Sequence, residues 1–284
     1  MSNKILVLGA TGKVGQTLVQ LLAEKGEQVK AATRQPAAYS AQPNVEAVAF
    51  DQDQPQSWSP ALADVDRLFL LSAKAGDLQP DQTLNPLIDA AKTAGVRKIV
   101  LMTAMGVEQA EGVGLREVEK YLIASGVNYT ILRPNWFMQN VTLGFMQPTI
   151  KHNDSIFLAA GDGQTSLIDA RDIAATAAAA LTEPGHDNAE YTLTGGRAMT
   201  YAEVAELISH SVGRKIQYVP LSDEAMLDAF RGAGMPGGYA GMMVGLLQGV
   251  RQGWTAPVSP AVAQVLGRAP ITFEQFVQDS AGAW

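Results

Sequence analysis

A chain of 284 residues, 47% of them hydrophobic, is long enough for one large domain or for a larger domain carrying a smaller lobe. Its formal charge of −7 argues against a nucleic-acid surface. The absence of cysteine excludes disulfides, thiolate catalysis and zinc–sulfur sites, and His152, His186 and His210 match no metal spacing. No apolar run approaches the ~18 residues of a membrane span and the chain enters a strand almost at once, so a cytoplasmic protein without signal peptide, membrane partner or nucleic-acid partner is expected.

The first predicted element is an apolar strand over residues 5–8, hydrophobic enough to be buried on both faces. It runs into Gly9-Ala10-Thr11-Gly12-Lys13-Val14-Gly15 and then a helix carrying Leu18, Val19, Leu21 and Leu22. A strand, a tight glycine turn and a helix N-terminus let backbone approach a pyrophosphate, with unpaired N–H groups and the positive end of the helix dipole facing it. The spacing is GxxGxxG rather than GxGxxG, so the plainer alternative is an ordinary strand–turn–helix with glycines chosen for packing. Val14 after Lys13, where Ser or Thr would stand, disfavours a Walker-type triphosphate loop. Strands follow at residues 29–33, 45–50, 67–72, 98–103 and 129–132, with helices near 84–94 and 116–125 between them. This alternation predicts βαβ units and a doubly wound parallel sheet.

The second half is less regular. An alanine-rich helix is expected over 169–181, a short strand over 191–194, and a helix over 201–212 capped by Thr200 with Glu203 in the capping-box position and ended by Gly213. Short helices are expected within 225–253 and a last one over 272–280. The predicted organisation is a Rossmann-type α/β domain over 1–135, rejoined by 169–195. A smaller interleaved α/β lobe, made of 136–168 and 196–284, would hold the substrate.

Ligands of such sheets gather at the carboxyl ends of the strands. After the second strand stands Arg34, where a carboxylate would favour NAD; its planar fork suits a 2′-phosphate, so NADP(H) is preferred, with NAD(H) the alternative. Lys13 adds charge to the same region. Asp51 and Gln52 follow the third strand, either beside an adenine ring or as cap and turn residues. Leu71, Ser72 and Ala73 follow the fourth, small enough beyond Leu71 for the cofactor backbone to pass. Thr103 and Ala104 follow the fifth, where nicotinamide and substrate would meet; Thr103 is equally readable as a satisfied strand-end hydroxyl. Pro134 is expected to break the sixth strand's pairing at the cofactor's edge. Trp136, Phe137 and Met138 beyond it form either an aromatic-substrate wall or second-lobe packing.

These residues together resemble the NmrA-like branch of the atypical short-chain dehydrogenases/reductases. The marks are the glycine turn, Arg34, Asp51 through Pro55, Ser125-Gly126 followed by Tyr129-Thr130-Ile131-Leu132-Arg133-Pro134, and Ile168-Asp169-Ala170-Arg171-Asp172-Ile173-Ala174. Trp136 through Asn140, Gly161-Asp162-Gly163 and Leu193-Thr194-Gly195-Gly196 are similar to the clavine dehydrogenases in particular, with triphenylmethane reductases and NADPH quinone reductases as related members. The resemblance implies cofactor binding by Gly9, Thr11, Gly12, Lys13, Val14 and Arg34, with Thr103 and Pro134 bordering the nicotinamide. Trp136, Phe137, Met138, Met235, Met242 and Met243 would line the substrate side.

One departure stands out. The branch's helix, aligned through Glu119-Lys120-Tyr121-Leu122, puts Glu111 and Leu115 where conventional members carry Tyr-x-x-x-Lys. Without that acid, the resemblance implies an NADPH-dependent oxidoreductase passing hydride to an electron-poor small molecule such as a quinone, quinone methide, iminium or imine. Glu111 is the candidate proton donor, or else a solvated loop carboxylate. The alternative is an NmrA-type regulatory protein that senses NADP(H) without turning it over. Either would act as a monomer or homodimer and use no metal.

Overall fold

A computed structural model of the chain describes residues 4–74 and 76–284. In chain order its elements are β1 (Lys4–Val7), α1 (Gly15–Glu24), β2 (Gln28–Thr33), β3 (Val45–Ala49), α2 (Trp58–Leu62), β4 (Val65–Leu71), α3 (Asp81–Thr93), β5 (Lys98–Met102), α4 (Gly114–Ala124) and β6 (Asn128–Pro134). Then come α5 (Gln147–Asn153), β7 (Ser155–Leu158), β8 (Gln164–Thr165), α6 (Ala170–Thr182), β9 (Ala189–Leu193), β10 (Met199–Thr200), α7 (Tyr201–Val212) and β11 (Gln217–Pro220). The chain closes with α8 (Asp223–Gly232), α9 (Gly237–Arg251), α10 (Ala261–Leu266) and α11 (Phe273–Asp279). The elements divide between two units. The first holds the described residues through Pro134 with Arg171–Thr192, the second Asn135–Ala170 with Leu193–Trp284.

A seven-stranded sheet of order β3-β2-β1-β4-β5-β6-β9 forms the first unit's centre. Its pairs from β3 to β6 are all parallel, so helical crossovers must cover both faces. Side chains alternate across the pleat. Leu6, Leu68, Leu70, Ile99 and Leu101 share one core with Leu84, Leu87 and Ile88 of α3 and Val118 and Leu122 of α4. Ile5, Val7 and Phe69, which are just as buried, point to the other side, where Leu18, Val19 and Leu22 of α1 are also fully buried. Strand order reverses between β1 and β4, which is where a sheet of this kind opens a crevice at its carboxyl edge.

The glycine turn stands beside that crevice, and each of its glycines has a steric reason. Gly9 has a φ of +63°, and its carbonyl accepts from the Gly12 N–H at 2.8 Å. A Cβ on Gly12 would lie 3.1 Å from the Gly9 oxygen, and one on Gly15 only 2.1 Å from it. The start of α1 therefore presses directly on the turn. At the other end of the sheet, β6 continues through Pro134 rather than breaking before it. Proline lacks only the donor, and its carbonyl still accepts from the Met105 N–H at 3.0 Å.

The second unit has its own core, built from Met138, Ile150, Ile156, Leu158, Tyr201, Val204, Ile208, Leu247 and Phe276 among others. The capping box of Thr200 and Glu203 is formed, and Gly213 ends α7 in the left-handed conformation at φ 69°. Residues 225–253, expected as short helices, instead make α8 and the fifteen-residue α9. Interior glycines cost helices roughly 1 kcal/mol each, yet Ala240, Met243, Val244, Leu247 and Val250 recur at helical spacing and are buried. Packing overrides propensity there. Two small sheets, β7 with β11 in parallel and β8 with β10 antiparallel, had no readable sequence signal because they are two to four residues long.

The Gly15 contact gives the first prediction. Gly15→Ala should lower stability by about 1–3 kcal/mol, because backbone rather than a movable side chain blocks the new methyl. Urea unfolding of the two proteins measures this, and equal midpoints would refute it.

Candidate functional site

At the carboxyl edge of β1, Thr11 and Gly12 are exposed, Lys13 is half-buried, and Val14 and Gly15 are buried. The first helical bond of α1 is Gln16 N–H to the Gly12 carbonyl at 3.0 Å. A helix start of this kind presents backbone N–H groups to an anion. Partial burial of Lys13 lowers its amine pKa, a shift that an adjacent phosphate would reverse. Leu71, at the end of β4, lies over Gly9, where a Cβ would come 3.2 Å from its Cδ2. Arg34 stands exposed just past β2 and makes no ion pair among the described residues. A glycine bend whose Gly15 has no room for a Cβ, flanked by Lys13 and with an exposed arginine just past β2, fits a phosphorylated dinucleotide.

The loops after β3 and β4 are joined differently from the adenine contact read for Asp51 and Gln52. Gln52 is buried, its amide nitrogen donating to the Leu71 carbonyl at 2.7 Å and its oxygen accepting from the Ala73 N–H at 2.8 Å. Both ends of the side chain are spent holding the β4 loop, so it is a brace between strand ends. Asp51 accepts from the Asp53 N–H and from Gln54 Nε2, each at 3.0 Å, and its carbonyl takes the Ser57 hydroxyl and the Trp58 indole N–H. The turn reading of Asp51 is the one the geometry supports. Ser72 is half-buried and Ala73 exposed beside this brace.

Thr103 and Ala104 follow β5, and the Thr103 hydroxyl is engaged. It donates to Glu119 Oε1 at 2.7 Å. Glu119, on α4, is wholly buried and also receives Arg133 Nε and Nη2 at 2.9 Å each and Arg116 Nη1 at 3.0 Å. Burial alone would raise the Glu119 pKa, but the hydrogen bonds from Arg133 and Thr103 outweigh it and hold the group below its ordinary value. Arg133 is buried too, and bonds Glu190 at 2.6 Å. Desolvation opposes its charge, yet the two carboxylates raise its pKa. Sequence reasoning missed this network. Its signal was present: a lone carboxylate beside Val118 and Leu122 on an apolar helix face, and a lone arginine inside the apolar run 131–134.

Glu111 has the setting of a solvated loop carboxylate, the second of its two readings. It is exposed and paired with Lys120, with Arg116 at 3.5 Å, and these partners lower its pKa, Lys120 most. A carboxylate stabilised in its ionised form in water does not protonate a substrate.

The residues read as a substrate wall all lie in the second unit. Met138 and Met243 are core residues rather than wall, 2% and 8% exposed, because their flexible chains fill the interior. Trp136 and Met235 are partly buried against that same core, Phe137 is half-buried, and Met242 is 39% exposed on α9. No cluster of His, Asp and Glu able to hold a metal occurs among the described residues. No helix is long and apolar enough to cross a membrane.

Comparison with known proteins places this geometry. Residues 9–184 match the family model described as NAD(P)H-binding. An NAD(P)H azoreductase of Xenophilus azovorans is 37% identical, with 99% of each chain covered. The NADPH complex of the Escherichia coli quinone oxidoreductase QOR2 superposes with a TM-score of 0.83 at 28% identity, covering 97% of this chain and 99% of that one. The Citrobacter sp. triphenylmethane reductase complexed with NADP(H) gives a TM-score of 0.83 at 25% identity, covering 98% and 99%.

The buried network predicts an acid limb. A carboxylate whose folded pKa is depressed stabilises the protein above its unfolded value near 4.5, and that contribution disappears as pH falls through the lower folded value. Wild-type protein should therefore lose stability steeply on acidification below about pH 4.5. Glu119→Gln should flatten part of that slope in urea unfolding series at stepped pH, and identical slopes for the two proteins would contradict the assignment.

Proposed function

Because the chain belongs to the NAD(P)H-binding family, we propose that it uses NADPH to reduce electron-poor, conjugated small molecules: quinones, quinone methides, iminium ions, imines or azo compounds. It is an NAD(P)H-dependent oxidoreductase, like the relatives it matches. One observation carries the choice of acceptor. Around the end of β5, where conventional relatives hold a proton donor, the Thr103 hydroxyl donates its hydrogen bond to Glu119, and the pKa values of Glu119 and Glu111 are both lowered by their cationic partners. An acceptor that needs no acid to take hydride is the chemistry this edge supports, with water supplying any later proton.

The turn from Gly9 through Val14 would hold the pyrophosphate, with Arg34 on the 2′-phosphate and Lys13 adding charge. Thr103, Ala104 and Pro134 would border the nicotinamide ring, which supplies the hydride when bound. Trp136, Phe137 and Met242 would be the substrate-side groups, each keeping exposed surface. Catalysis on this reading is positioning and exclusion of water rather than proton transfer.

Two measurements test the reading. Arg34→Glu should weaken NADPH binding by tenfold or more, about 1.4 kcal/mol, while changing NADH binding little; equal losses for both in calorimetry would remove the 2′-phosphate role. Pure protein with NADPH and a panel of quinones, azo dyes, cationic dyes and cyclic imines should consume nicotinamide absorbance with at least one of them. Tight NADPH binding with no turnover across the panel would instead favour a non-catalytic sensor of the cofactor.

A further inference from the structure

We propose, resting on the cofactor reading above, that Glu119 holds Thr103 as an obligate hydrogen-bond acceptor, and that this acceptor receives the carboxamide N–H of the bound nicotinamide. Thr103 is thereby a binding residue for the ring end of the cofactor, and Glu119 is the positioning residue behind it.

The argument is one of polarity. A threonine hydroxyl has one proton to give and lone pairs to offer. Here the proton goes to Glu119 Oε1 at 2.7 Å. The carboxylate cannot exchange roles, since Arg133 and Arg116 supply three further N–H donors at 2.9–3.0 Å and keep it charged. The threonine backbone N–H is also committed, to the Leu132 carbonyl at 2.9 Å within the sheet. Whatever meets this side chain at the carboxyl edge finds only lone pairs. Quinone and ketone oxygens and azo nitrogens are themselves acceptors, so they gain nothing there and are repelled by the like dipole. The nicotinamide carboxamide carries two N–H donors, and on the cofactor reading above its ring borders Thr103.

The arrangement reverses what a hydroxyl at this position does when it donates to a substrate oxygen. Thr103 does not polarise the acceptor; it fixes the rotation of the ring that delivers hydride. The buried pair sets this polarity for a structural reason. Glu119 is 0% exposed, and a proton on it would take from the buried Arg133 guanidinium its two-bonded carboxylate partner, leaving Glu190 at 2.6 Å and Glu108 at 3.5 Å.

The test compares NADP+ with its 3-acetylpyridine analogue, in which a methyl ketone replaces the amide and offers no N–H, using calorimetric binding to intact protein. Thr103→Val should weaken NADP+ binding about tenfold and leave the analogue within about twofold, whereas Thr103→Ser should bind both as the wild type does. Glu119→Gln with its amide nitrogen toward Thr103 frees the hydroxyl proton but loses the Arg133 Nε bond made to the same oxygen in the wild type; in that orientation it should weaken NADP+ and strengthen the analogue, an inversion that simple loosening of the fold cannot produce. Thr103→Val losing both ligands equally, or neither, overturns the proposal even if Glu119→Gln proves unstable. Wild-type protein that binds neither ligand would instead remove the cofactor reading itself.

Discussion

The closeness of Gly15 to the Gly9 carbonyl is the constraint on which the rest of the first unit depends. A helix that starts against the turn, with only hydrogen at the contact, is fixed in distance and direction relative to β1. That fixes its N-terminal donors at the carboxyl edge, beside the point where strand order reverses between β1 and β4. Any side chain at the contact would push α1 outward and move those donors with it. The positive φ of Gly9 and the bond from Gly12 close the same bend from the other side.

From that fixed point the edge is wired strand to strand by polar side chains that span loops. Gln52 ties the end of β3 to the end of β4 through two bonds. Glu119 ties the end of β5 to β6 by holding Thr103 with one oxygen and Arg133 with both. These links are buried or nearly so, where a broken hydrogen bond leaves an unsatisfied group and costs more than the bond itself contributes. They keep the loops at the carboxyl edge in one arrangement. They also engage side-chain groups, Gln52 and the Thr103 hydroxyl among them, that would otherwise be free to meet a ligand.

The proposed chemistry agrees with the names of the relatives: an azoreductase, a quinone oxidoreductase and a triphenylmethane reductase are similar to this chain across nearly its whole length. Hydride delivery to such acceptors calls for alignment before anything else. An ionised Glu119 beneath Thr103 serves alignment and is of no use as a proton source. The polar network and the proposed chemistry thus point in one direction without a dedicated catalytic acid.

The order of strands and helices in the first unit, the glycine turn, and the caps of α7 were legible in the sequence, since each is set by residues adjacent in the chain: an apolar run, a glycine spacing, a Thr and a Glu three apart. The path of α9 through five glycines, the small sheets of the second unit, and the fates of Met138, Met243, Gln52 and Glu111 were not. Each is decided by what the side chain meets after folding, and the partners lie tens of residues away. Glu119 and Arg133 illustrate the boundary. Sequence alone showed two charges stranded in apolar surroundings; only the tertiary structure, by bringing α4 against the ends of β5 and β6, made them a pair and gave Thr103 its polarity.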